Sequence, residues 1–124
     1  MIETDLRDYL LTHDSLTALI GNKLYPGWIP ENAKMPSVAY LGVSGVRHHD
    51  IDVAYPRYQF SCFSPRYLEA KAIAAELREI LQRFKGKMGN SNIIQVAFQN
   101  EYENYEKDTK LYHIAIDFKF IYWE

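Results

Sequence analysis

The run Arg57-Tyr58-Gln59-Phe60-Ser61-Cys62-Phe63-Ser64-Pro65, continuing through Glu69-Ala70-Lys71-Ala72-Ile73-Ala74 to Phe84, changes its hydrophobic period in mid-course. Up to Ser64 the period is two. Tyr58, Phe60 and Cys62 point one way while Arg57, Gln59 and Ser61 point the other, as in a strand with one buried face. Ser64-Pro65 then starts a helix, with serine as N-cap and proline at the first helical position. From there to about Phe84, Ala70, Ile73, Ala74, Leu77, Ile80, Leu81 and Phe84 make one stripe at helical spacing, with Arg66, Glu69, Glu76, Glu79 and Arg83 mostly off it. The small alanines at the middle of that stripe let the helix lie close to a sheet.

Working outward from this strand-helix unit, Ser37 to Val46 reads as a preceding strand with Gly42 and Gly45 inside it. Arg47-His48-His49-Asp50-Ile51-Asp52 is the polar tip of the hairpin between the two strands. Further upstream, Thr4 or Asp5 caps a short helix with Leu6 and Leu10 inward, and Asp14-Ser15 begins another turn or two that Gly21 ends. Lys23-Leu24-Tyr25 reads as a short strand. Pro26, Gly27, Pro30 and Pro36 punctuate a loop in which Trp28 and Ile29 have no regular element to bury them. They either fold back on the core or dock on a neighbour.

Downstream of the helix, Gly86 to Asn92 reads as a loop and Asn92 to Gln99 as a strand with Ile94, Val96 and Phe98 inward. Glu101 to Lys110 is acidic and tyrosine-bearing, with Tyr102, Glu103 and Tyr105 in an exposed hairpin. The last strand alternates Tyr112, Ile114, Ile116, Phe118, Phe120 and Tyr122 against His113, Ala115, Asp117, Lys119, Ile121 and Trp123. The second set is too apolar at its end for open water, so Ile121 or Trp123 is expected to pack on a helix or another subunit. The expected fold is one α+β domain over residues 1–124. Its antiparallel sheet has about four strands in two hairpins, packed on one face by the long helix and the shorter N-terminal helices.

At 124 residues, with 48% hydrophobic and 24% charged residues, the chain is long enough for its own core without staples. A formal charge of −2 gives no pull toward nucleic acid or anionic membranes. No apolar run approaches the roughly 20 residues of a membrane span. The polar start and the single Cys62 lead us to expect folding in the cytosol, with no signal peptide and no internal disulfide. The 10 tyrosines suit partner-facing surfaces and strands equally.

A search for chemistry leaves little. His48, His49, Asp50 and Asp52 are the only cluster with metal-ligand chemistry, but adjacent ligands on a tip impose no fixed geometry, so they read as a solvated turn. Cys62 shares a strand face with Tyr58 and Phe60 and reads as a small buried hydrophobe. There is no G-x-S-x-G elbow, and Gly86-Lys87-Met88-Gly89 is neither a P-loop nor a dinucleotide fingerprint. Arg47, His48, His49 and Arg57 are basic, with Tyr55 and Tyr58 between them, but the aspartates dilute the patch. We expect no enzyme, no cofactor and no metal, and a chain that binds other protein chains.

The assembled pattern resembles a known family. Leu19-Ile20-Gly21-Asn22-Lys23-Leu24-Tyr25-Pro26 closes the helical region, and Met35-Pro36-Ser37-Val38-Ala39-Tyr40 opens a strand followed by Val43-Ser44-Gly45. Tyr58-Gln59-Phe60-Ser61-Cys62-Phe63-Ser64 leads into Glu69-Ala70-Lys71-Ala72-Ile73-Ala74, and Ile116-Asp117-Phe118-Lys119-Phe120 ends the chain. Over nearly its whole length this resembles the tail-completion (tail-to-head joining) proteins of long-tailed bacteriophages and prophages, related in fold to tail terminators. The resemblance implies a structural virion protein, assembled in the host cytoplasm, that caps the head-proximal end of the tail tube as a six-fold ring. It would meet the head connector there, and nucleic acid would touch it only in passing through the ring. A neck protein of the same virion, or a small ligand-binding domain or enzyme with a site near Trp28, is the alternative reading. The family supplies structural motifs only. Contact roles for Trp28, Ile29, Arg47, His48, His49, Asp50, Asp52, Tyr102, Glu103, Tyr105, Ile121 and Trp123 are therefore expected from exposure alone.

Overall fold

A computed structural model describes residues 1–48 and 50–124. Three helices, α1 (Ile2–Leu10), α2 (Asp14–Ile20) and α3 (Tyr67–Leu81), accompany seven strands. The strands are β1 (Leu24–Pro26), β2 (Ser37–Ser44), β3 (Val53–Ala54), β4 (Arg57–Ser64), β5 (Gly86–Met88), β6 (Ser91–Glu106) and β7 (Leu111–Trp123). They form one sheet in the order β1-β2-β4-β7-β6-β5, with β3 pairing separately with the end of β7.

The α+β class and both expected hairpins are present, but the expectation of about four strands undercounts the sheet. Pairing of β4 with β7 fuses the hairpins β2–β4 and β6–β7. Three short strands extend the result, and one of them, β1, runs parallel to β2 through Leu24↔Val38 to Pro26↔Tyr40. The stretch expected as a loop at 86–92 contains β5, paired with Ser91–Ile93. The expected exposed hairpin over Glu101–Lys110 is strand as far as Glu106, and only 107–110 turn.

All three helices cover one face of the sheet. Leu6, Leu10, Leu16, Ile20, Ile73, Leu77 and Leu81 close over Val38, Tyr40, Phe60, Cys62, Ile114, Ile116, Phe118 and Phe120, all buried. On α1, Ile2 joins Leu6 and Leu10 in that layer. The expected cap at Thr4 or Asp5 lies one turn too late, because the helix begins at Ile2 with Met1 as N-cap. Thr4 instead donates its hydroxyl to Met1 O at 3.0 Å. Asp5 turns toward β5 and accepts the Ser91 hydroxyl at 2.6 Å. Gly89 makes that approach possible: its φ is +60°, and a Cβ there would stand 2.5 Å from Asp5 Oδ1.

The helix α3 is shorter at both ends than the expected span from Pro65 to about Phe84. The Ser64 hydroxyl accepts the Arg66 N–H at 3.0 Å and donates to Glu69 at 2.6 Å, three residues before the first helical position, so neither Ser64 nor Pro65 takes the expected N-cap or first helical place. That hydroxyl, followed by Arg66, holds the Glu69 carboxyl below the usual carboxylate range. At the other end Gln82 adopts an extended ψ of 127° and Arg83 a φ of +65°. Phe84 therefore leaves the helix and packs on the ring of Tyr9 at 4.9 Å.

The register of β6 corrects one side-chain assignment. A shift between Ile93 and Gln95 puts Ile93, not Ile94, into the core, because one extra residue in a strand flips the face that follows. Val96 and Phe98 face inward as the alternation requires, Val96 fully buried.

Candidate assembly surfaces

Beyond the core, the fold leaves three surfaces carrying the residues singled out above. The first is the loop between β1 and β2. Pro26, Pro30 and Pro36 keep it out of regular structure, so Trp28 stands 81% exposed while Ile29 is half-buried. Trp28, Ile29, Met35, Phe63 and Leu111 border an open groove of about 390 Å³ between this loop and the ends of β4 and β7. A large indole with no cover beside an apolar groove has the composition of a protein contact.

The second surface is the β2–β3 tip. Arg47 reaches Glu124 at 3.1 Å, and the Glu124 N–H donates to Asp52 O at 2.9 Å, so the tip lies along the chain end. The Asp50 N–H donates to His48 Nδ1 at 3.1 Å, which closes the turn locally. His49 lies outside the described residues. Among the described residues no three His, Cys, Asp or Glu side chains converge on a metal-sized site. Nearby, Ile121 is half-buried and Trp123 half-exposed at the end of β7. Trp123 is 51% exposed, so the cover expected for it is at most partial among the described residues.

The third surface is the sheet face opposite the helices. It carries Gln59, Ser61 and Phe63 of β4, His113, Ala115, Asp117 and Lys119 of β7, and Asn100, Tyr102 and Asn104 of β6. Gln59 donates to the Tyr102 hydroxyl across β7. Phe63 stacks on His113 at 4.4 Å, and burial pulls the His113 imidazole below the ordinary histidine range. Asp117 is 5% exposed, with Arg57 3.9 Å from one carboxylate oxygen and no partner at Oδ1. His113 Nε2 is likewise buried without a partner. Buried polar atoms left unpaired are costly. Sequence reading places His113 and Asp117 on the polar side of β7 and misses their burial, which comes from the neighbouring strands.

The acidic stretch of β6 splits between the two faces. Glu101 and Glu103 turn to the helix side, where Lys71 Nζ sits 2.8 and 2.9 Å away, and Tyr67 donates to Glu103 at 2.9 Å. Lys71 is held above the ordinary lysine range first by its hydrogen bond to Glu101, and Glu103 below its own range first by Lys71. Glu103 is therefore committed to an internal tie. Tyr102 and Tyr105 remain about half exposed, Tyr105 leaning on Tyr112 at 4.8 Å. Cys62 is fully buried, and burial pushes its thiol pKa up, away from nucleophilic use.

A family model described as tail completion protein gp17 matches residues 4–123. The chain belongs to that family. The fold agrees with a solved phage-like assembly, described as the virion of a native gene transfer agent particle. The match has a TM-score of 0.77 and 16% identity, and covers 99% of this chain and 92% of that chain. No curated protein sequence matches the chain significantly. As a tail completion protein it is a structural protein of the virion tail. Leu41, Val43, Val46 and Leu68 are also exposed, which sequence reading misses because isolated apolar residues in a strand or helix are assigned to the core by default.

Proposed function

We propose that this tail completion protein closes the head-proximal end of a long tail tube as a ring of six copies and presents the ring to the head connector. The family match over residues 4–123 carries this reading. The surface of the subunit supports it: the Trp28 groove and the Trp123 end of β7 are two different apolar contacts, as a cyclic, heterologous interface requires. Its partners are copies of itself, the tail tube protein and the connector or stopper protein. It acts by occupying a position, without turnover and without a cofactor, and DNA passes through the ring.

A position in the neck is the competing placement, and cosedimentation separates the two. Purified protein is mixed with tails assembled in its absence, and separately with DNA-filled heads carrying their connector. The expected result is stoichiometric binding to tails, with heads bound only after tails are loaded. Trp28→Ser, which removes the most exposed apolar ring, is expected to weaken one of these two associations by at least tenfold without lowering the melting temperature. Direct binding to heads, with none to tails, would assign the protein to the neck instead.

A further inference from the structure

The sheet ends in two bare edges. On one side, β5 covers β6 only at Ser91–Ile93, and backbone of Arg83 and Phe84 pairs with Val96. From Phe98 to Glu106 the outer edge of β6 meets no backbone partner among the described residues. On the other side, β1 covers β2 from Val38 to Tyr40, and the Gly27 N–H donates to Tyr40 O. Among the described residues the outer edge from Leu41 to Arg47 likewise meets no backbone partner, the pairing of Arg47 with Ala54 lying on the side that faces β4. Unpaired N–H and C=O rows of this length are templates for another strand.

The two edges suit each other. Leu41, Val43 and Val46 are exposed apolar residues on the β2 edge and its continuation, and Tyr102 and Tyr105 on the β6 edge. The β6 edge keeps a net negative charge, since one Lys71 faces both Glu101 and Glu103 and Glu106 adds a third acid, whereas Leu41 to Val46 is uncharged and Arg47 is paired with Glu124. Two β6 edges therefore repel one another, while a β6 edge and a β2 edge do not.

Chain direction fits as well. β2, β4, β7 and β6 are successively antiparallel, so β2 and β6 run opposite ways. Rotation about a ring axis preserves the direction of each strand along that axis, so β6 of one copy meets β2 of the next as an antiparallel pair. The level of Ser44 runs through Arg57 and Lys119 to Ala97, whereas the middle of the bare β6 edge is Tyr102, about five residues further on. Strands tilted 35–45° in a closed sheet slip by about one residue per strand, which accumulates to about that offset across four strands. The register shifts at Gly42/Ser44, Ile93/Gln95 and Phe98/Asn100 supply the bends that such closure uses.

We infer that copies of this chain join edge to edge, the outer edge of β6 adding to the outer edge of β2 in the next copy near Tyr102 and Ser44. The inference rests on the ring reading above and specifies its joint. It is tested by disulfide trapping in the full chain with Ser44→Cys and Tyr102→Cys together, Cys62 being fully buried. Oxidation is expected to give a covalent ladder from dimer upward in the double variant, and none in either single variant. Leu41→Glu, an exposed change that adds an acid to the β2 edge, is expected to weaken assembly at least tenfold with the monomer's melting unchanged. Rings that form but yield no ladder, either from this pair or from Val46→Cys with Asn100→Cys, would overturn edge pairing and leave the ring intact. An unmodified chain that stays monomeric at high concentration would overturn both.

Discussion

Replacing Phe118 with alanine is expected to cost the domain about 4 kcal/mol of folding free energy, the middle of the range for a buried aromatic. Phe118 is fully buried in the middle of β7, the strand that pairs with β3, β4 and β6. Its ring meets Phe60 edge-on at 5.9 Å and Phe98 at 6.2 Å, so truncation opens a void between two strands and removes two aromatic contacts. Urea unfolding at a dilution that excludes assembly reads the effect as a lowered midpoint with an unchanged slope. The melting temperature should fall by roughly 12–20 °C. Phe118→Leu, which keeps most of the volume, should lose about 1 kcal/mol. A loss below 1 kcal/mol for the alanine variant would mean that the sheet centre is not packed as described.

The second large effect is electrostatic. Lys71→Met is expected to destabilise the chain by about 2 kcal/mol, because it leaves Glu101 and Glu103 as like charges on one side of β6. The Lys71 side chain is 36% exposed, so solvent screening keeps the cost below that of a fully buried ion pair. Adding Glu101→Gln and Glu103→Gln should restore most of it, since the three groups act as one unit. The pH dependence has a definite sign. Glu103 is held below its usual range, so its contribution is complete above about pH 4.3 and is lost as the pH falls through its lower folded value. Lys71 is held above its range, so its part is complete below about pH 10.4 and fades only as the pH rises through its higher folded value. The stability gap between parent and variant should be widest between about pH 5 and 10 and close toward acid. A gap that stays constant down to about pH 3 would contradict the tie.

These two residues also mark what local pattern reveals. Phe118 was readable as core because a strand buried on one face alternates with period two, and β4, β7 and the α3 stripe were readable for the same reason. Lys71 and Glu101 lie thirty residues apart, and alternating acids and tyrosines resemble solvated loop until the helix cation opposite them is seen. That is why β6 was cut short in the sequence reading. Short strands such as β1 and β5 have too few residues for any period, and β1 depends on a non-local parallel pairing. The Ile93/Ile94 assignment failed because a bulge leaves no mark in composition. Among the contact candidates, exposure of Trp28 followed from prolines that deny it a regular element. The tie of Arg47 to Glu124 and the burial of Asp117 arise only when distant strands meet.

The central claim, that this member of the tail completion family works as a ring at the head-proximal end of the tube, is tested most directly by electron microscopy of tails. Tails assembled without the protein are imaged before and after its addition, with the protein tagged at an exposed terminus. The account predicts a closed six-fold collar carrying the tag at one end only, the end opposite the tail tip, and tubes that stop lengthening once it is present. Label scattered along the tube, or a protein that remains monomeric beside bare tube ends, would contradict it.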